Sequence, residues 1–244
     1  MTEKDLELAV PDGTADAVLF TPEEGNLPGV LFIPDIGGIR DTMRQMARRV
    51  AAEGYTVLMP NPFYRTSRSP VFSFPRTPGD PAVMKRMQEL WGPLTPENVD
   101  RDVAGYVDAL AAQPSTGKIG TVGFCIGGGI ALRAAAVRPE LVKAAASFHG
   151  GGLYKANDPG SPHLVLPQVK ARLYFGHATD DKSMDADAIT ELTKALQAWG
   201  GRYESEIYEG ARHGWTVPDN HAYNEPQAER AYGKLMELFR ETLG

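Results

Sequence analysis

Along the chain, short runs of β-branched and aliphatic residues alternate with longer stretches whose apolar positions recur at helical spacing. The first kind predicts strands over 29–33, 55–59, 118–122, 142–147, 171–176 and 203–208. The second predicts helices over 41–53, 96–113, 126–137, 185–199 and 225–243. In the last of these Ala228, Ala231, Tyr232, Leu235, Met236 and Phe239 fall on one face and are read as core. Thr95 is placed to cap the helix that Pro96 begins. Such alternation predicts an α/β fold, a mostly parallel central sheet with helices on both faces. The 10–20 region adds an antiparallel edge hairpin turning at Asp12-Gly13. No repeat or internal boundary interrupts the pattern, so 1–244 is read as one domain.

One stretch breaks the rhythm. Residues 60–96 are rich in proline and carry Phe63, Tyr64, Phe72, Phe74 and Trp91, with helical periodicity only over 80–90. A long Pro-rich excursion inside an α/β domain is expected to be a lid or substrate loop rather than a simple connection.

Charge and composition then narrow the function classes. With a formal net charge of -6, the chain has no basic stripe for phosphates, which argues against nucleic-acid binding. No apolar run approaches membrane-spanning length, and the opening residues lack the basic start and apolar core of a signal peptide. A cytoplasmic protein without a membrane partner is expected, as a monomer or homodimer. The single cysteine, Cys125, excludes an intrachain disulfide and a CxxC site.

That cysteine sits in Gly123-Phe-Cys-Ile-Gly127, between a predicted strand and a predicted Ala-rich helix. The pattern is a nucleophile elbow with cysteine in the serine position. A sharp strand-to-helix turn needs small residues two before and two after the nucleophile, and Gly123 and Gly127 supply them. The turn also puts the thiol at a helix N-terminus, which favours a thiolate and a developing oxyanion. No dinucleotide-type glycine fingerprint or phosphate-binding loop is present. In this kind of fold an acid and then a base follow the nucleophile in chain order. His213 lies between the last strand and the last helix, while Asp180 and Asp181 both lie just past the strand at 171–176. One of the pair is expected to orient the histidine and the other to form the turn. His149 and His177 also follow strands and can border the pocket, whereas His163 and His221 are expected to be solvated.

With elbow, acid loop and histidine loop in place, the chain resembles the dienelactone hydrolase family of the α/β-hydrolase superfamily. The segments that carry the likeness are Gly123-Phe-Cys-Ile-Gly-Gly, Asp181-x-Ser-Met, Gly210-x-x-His213-Gly-Trp and Glu53-Gly-Tyr-x-Val-x-x-Pro60. The resemblance implies a Cys125, His213, Asp181 triad, the Ser-Met pair selecting Asp181 over Asp180. It implies an oxyanion site from the amides of Ile36 and Ile126, and a carboxylate in contact with the resting thiol at Asp35, one methylene shorter than the family's usual glutamate. The activity implied is cleavage of a small ester or lactone through an acyl-thioester, with no cofactor and no metal. A free thiol titrates at about 8.5, so the histidine and helix terminus must activate it at neutral pH.

Substrate-lining candidates are Trp215, Tyr64, Phe63, Trp91, His149 and Arg40. The family's carboxylate-binding arginine shortly after the histidine is missing, since Gly-Trp-Thr-Val-Pro follows His213. Arg40, Arg65, Arg76 and Arg86 are the available substitutes. Without one of them at the site, neutral substrates are expected to be turned over at least as well as carboxylates. The alternatives are a broad carboxylesterase or thioesterase and, from another class, a hydrolase-like binding protein. The intact Cys, Asp, His order speaks against the latter.

Overall fold

A computed structural model describes residues 1–23, 27–114 and 117–244. Its centre is an eight-stranded sheet in the order β1-β2-β4-β3-β5-β6-β7-β8. The strands are β1 (Thr2–Val10), β2 (Gly13–Thr21), β3 (Gly29–Ile33), β4 (Thr56–Pro60), β5 (Ile119–Phe124), β6 (Val142–Phe148), β7 (Arg172–Asp180) and β8 (Tyr203–Arg212). From β4 to β8 every pairing is parallel, and only β1–β2 and β2–β4 are antiparallel. The helices are α1 (Asp41–Ala52), α2 (Pro81–Trp91), α3 (Pro96–Ala111), α4 (Ile126–Val137), α5 (Ala186–Trp199) and α6 (Glu225–Leu243). None of them is long and apolar enough to cross a membrane.

Two hydrophobic clusters, one on each face of the sheet, account for the layering. Residues of α1 and α6 pack on one face with Phe20, Phe32 and Phe124. Residues of α3, α4 and α5 pack on the other with Leu31, Ile33 and Leu173. The central strands β3 and β5 are buried along their whole length, so they are continuous apolar or small-residue runs rather than alternating ones. Thr95 caps α3 by accepting from the Asn98 amide at 3.3 Å, with Pro96 following it, as expected.

Several boundaries differ from the expectation. The edge hairpin is longer than 10–20, since β1 pairs with β2 from Thr2↔Thr21 to Val10↔Gly13. Glu3, Lys4, Asp5 and Glu7 hide this strand from a hydrophobicity reading, because an edge strand with a solvated face needs no apolar alternation. The strand β7 runs on to Asp180 because β8 continues beside it, with Asp180 opposite Arg212. A 3-10 segment, Pro162–Gln168, follows β6 where no element was expected.

Candidate active site

The turn from β5 into α4 is held by close packing that no side chain could share. A Cβ on Gly123 would lie 1.9 Å from the Gly127 carbonyl oxygen, and one on Gly127 would lie 2.7 Å from both the Ile33 and Pro34 oxygens. Between them Cys125 adopts φ 55, ψ -122, in the region that L-residues rarely enter. The strain projects Cys125 at the start of α4, with its side chain at the edge of a cleft of about 940 Å³.

The β7 extension and the end of β8 bring the next two groups to the same cleft. His213 follows Arg212, the last residue of β8, and its Nδ1 lies 2.6 Å from Asp181 Oδ2. The other carboxylate oxygen of Asp181 accepts from the Ser183 amide at 2.9 Å and the Ser183 hydroxyl at 2.6 Å. Asp181 is 6% exposed, whereas Asp180 at the strand end is exposed. Burial would raise the Asp181 pKa, but the hydrogen bonds from His213 and Ser183 hold it below the usual carboxylate range. Burial would likewise lower His213. The hydrogen bonds and charges of Asp181 and Cys125 outweigh it and push the imidazole up to about 10.

Around this centre lie the other expected residues. Ile36 and Ile126 line the cleft beside Cys125, and their N–H groups have no protein acceptor among the described residues. The first amides of a helix lack intrahelical partners, so Ile126 has its donor available by construction. Asp35 is buried beside them, but it does not bond the thiol as expected. Its carboxylate accepts from the Gly37 amide at 2.8 Å and from Arg40 at 2.7 and 3.0 Å. Arg40 also forks onto Asp219 at 2.7 and 2.8 Å. Burial opposes its charge, yet the two carboxylates raise its pKa further. It is thus committed to the loop below the cleft rather than to a ligand.

The aromatic expectations divide. Trp91, at the end of α2, lines the cleft with Phe72, Val83, Met87 and Leu94, so the 60–96 segment supplies one wall. Phe63 does not reach it, being 1% exposed in a small cluster with Val71 and Leu90 on which Ile36 and Ile126 rest. Tyr64 points elsewhere, donating to Asp102 at 2.8 Å. Trp215 is fully buried, 4.9 Å from the Tyr208 ring. An aromatic next to a reactive residue in sequence turns inward whenever the core has room for its area. His149 borders the cleft floor, while His177 is buried against Ser205 of β8. His221 is exposed, as expected, and from that position it also lines the cleft.

Cationic groups are nearer than the sequence suggested. Arg65 is paired with Asp102 and Asp12, and Arg86 with Glu89 and the Val71 carbonyl. Arg76 lines the cleft and touches Asp219 at 3.3 Å. Arg212 and Lys182 line it without an ion pair among the described residues. Both were missed although each is the direct neighbour of a triad candidate. Loops that deliver Asp181 and His213 to the cleft deliver these neighbours too. Among the described residues, no group of three or more His, Cys, Asp or Glu side chains is arranged to hold a metal ion.

Chemically, the centre places a thiol at a helix N-terminus beside an imidazole oriented by a buried carboxylate, with unpaired amides close by. Comparisons with known proteins agree with the fold and narrow the family. Residues 15–243 match the model of the dienelactone hydrolase family. A carboxymethylenebutenolidase of Rhodococcus opacus is 28% identical over 225 residues, covering 91% of this chain and 84% of the relative. Among solved structures, a dienelactone hydrolase from Anabaena variabilis superposes with a TM-score of 0.70 at 23% identity, covering 100% of this chain and 99% of that one. A dienelactone hydrolase-like promiscuous phosphotriesterase, P91, from metagenomic libraries gives 0.80 at 21% identity, with coverage of 100% and 99%.

Proposed function

The chain belongs to the dienelactone hydrolase family, and from that premise we propose that this hydrolase cleaves a small ester or lactone by nucleophilic attack of Cys125. The observation that carries the reading is the linked set of Cys125 at the strained elbow, His213 in the next loop and Asp181 bonded to it at 2.6 Å. An imidazole whose proton is favoured by both neighbours keeps it at neutral pH, and this leaves sulfur free to attack as a thiolate.

In the first half-reaction sulfur adds to the carbonyl carbon, and the amides of Ile36 and Ile126 receive the oxyanion. Collapse expels the leaving oxygen, which takes its proton from His213 and leaves an acyl-thioester on Cys125. Neutral His213 then takes a proton from water and becomes imidazolium as hydroxide adds to the thioester, and collapse of that adduct expels the thiolate, leaving the carboxylic acid and the resting thiolate–imidazolium pair. Asp181 stays ionised throughout, holding the Nδ1 proton in place. An enol leaving group suits this chemistry, because it is expelled more readily than an ordinary alkoxide and competes with return of the thiolate. That preference, together with the likeness to the Rhodococcus carboxymethylenebutenolidase, favours an enol lactone over a plain alkyl ester. The wall from Phe72 to Leu94 serves as the lid or substrate loop in this reading.

Replacing Cys125 with Ala tests it. Enol lactone and p-nitrophenyl ester hydrolysis should both vanish with the thermal unfolding curve unchanged. Mass spectrometry of the wild-type enzyme, quenched during turnover, should show an acyl adduct on the peptide containing Cys125. Substantial activity in the variant would end the assignment.

A further inference from the structure

A second histidine sits directly beneath the elbow. His149 follows β6, is 1% exposed, and has φ 42, the same left-handed side of conformational space as Cys125. Its Nδ1 lies 3.1 Å from the Cys125 amide nitrogen, which shares its proton with the Phe148 carbonyl at 3.1 Å. Its Nε2 lies 2.8 Å from the Thr216 hydroxyl, three residues beyond His213. The ring stands edge-on to His213 at 5.2 Å and to Trp215 at 5.1 Å. We infer that His149 is a positioning residue, whose ring nitrogens tie the backbone of the nucleophile to the loop that carries the base.

The bonds dictate the tautomer. The Cys125 N–H is a donor, so Nδ1 must accept, and the ring proton resides on Nε2 and is given to Thr216. Only the neutral ring can do this. The titratable groups facing it are Cys125 on the elbow and His213 and Asp181 on the adjoining loops. Burial, and then the positive charge of His213, hold His149 well below its ordinary value, with Asp181 opposing them. The ring is therefore neutral at neutral pH, where His213 is charged. Two adjacent imidazoles have opposite charge states, which divides the work. One moves protons, and the other keeps a fixed lone pair under a strained peptide whose N–H is otherwise held by the Phe148 carbonyl alone.

The inference rests on Cys125 as nucleophile, and substitution at 149 separates a positioning role from mere packing. His149→Asn keeps an acceptor oxygen near the Nδ1 position and suits a positive φ, but loses bulk. His149→Phe keeps the ring and loses the acceptor. Positioning predicts that Phe lowers kcat by about threefold to tenfold with KM nearly unchanged, the rate equivalent of one hydrogen bond lost while the Cys125 N–H keeps the Phe148 carbonyl. It also predicts that Asn restores most of the loss. Packing predicts the opposite order. The pH profile of Cys125 alkylation by iodoacetamide should shift in the Phe variant and return in the Asn variant. A Phe variant with wild-type kcat, or an Asn variant no better than Phe, overturns the inference. If neither folds, Thr216→Val and Thr216→Ser decide it. A Val variant slower than Ser supports the tie, and a Val variant equal to wild type refutes it. Activity surviving in Cys125→Ala would instead bring down the underlying reading.

Discussion

Replacing Asp181 with Asn removes a charge, and the surrounding bonds determine what the amide does next. In the native site one carboxylate oxygen accepts from both the amide and hydroxyl of Ser183, at 2.9 and 2.6 Å. The asparagine oxygen takes that side, where two donors await it, and its NH2 turns toward His213 Nδ1. A donor facing Nδ1 leaves the ring with its single proton on Nε2, so the imidazolium that the proposed mechanism pairs with the thiolate cannot form. The imidazole thus loses its countercharge and presents the wrong tautomer. The cost of that combination in a catalytic triad is about 10⁴-fold in kcat, roughly 5 kcal/mol in barrier. Loss of a charge-assisted hydrogen bond alone would cost only about tenfold to a hundredfold. Steady-state kcat on an enol lactone, with circular dichroism to confirm folding, distinguishes the two magnitudes. Asp180→Asn serves as the control, since that side chain is exposed and, among the described residues, makes no hydrogen bond or ion pair with His213, whose partner is Asp181; less than a threefold change in rate is about what a surface substitution permits. A severe loss at 180 with a mild one at 181 would refute the orientation of the site described above.

The remaining expectations are briefer. Because His213 is raised to about 10 from an ordinary 6.5, its contribution to stability is complete below 6.5 and is lost as the pH rises through about 10. The alkaline limb of kcat/KM should fall near that same pH, and an alkaline limb near 7 in a pH-rate profile would contradict it. Asp181 acts in the opposite sense, stabilising the fold above its ordinary 3.8 and ceasing to do so only as the pH falls through its lowered value. Arg212 and Lys182 line the cleft without an ion pair among the described residues, so substrates with a free carboxylate should be preferred to their methyl esters, reversing the expectation drawn from the residues after His213. Arg212→Met should then cost about tenfold to a hundredfold in kcat/KM for the acid and little for the ester; equal losses on both would show that the guanidinium does not meet the carboxylate. Gly123→Ala should destabilise the protein by about 3 kcal/mol or more in urea unfolding, because a backbone oxygen stands 1.9 Å from the new methyl group and has nowhere to retreat.

What could be read along the chain was whatever local chemistry imposes. Alternating strand and helix patterns announced a mostly parallel sheet because buried strands need continuous apolar runs and their covering helices need one apolar face. The elbow was equally legible, since a strained turn tolerates only glycine at positions 123 and 127. The order of Cys125, an aspartate pair and His213 followed from the topology in which those loops share one end of the sheet. Tertiary structure alone decided the direction in which side chains leave those loops. Asp35 turned to Arg40 rather than to the thiol because two guanidinium nitrogens and a backbone amide lay within reach of its short side chain. Trp215, Phe63 and Tyr64 went to the core or to Asp102, while Arg212, Lys182 and His221 came to the cleft. Periodicity reports which face of an element is buried, but a loop has no period. The partners of a loop residue come from distant parts of the chain, so only folding could put His149 beneath Cys125 and Thr216 beside it.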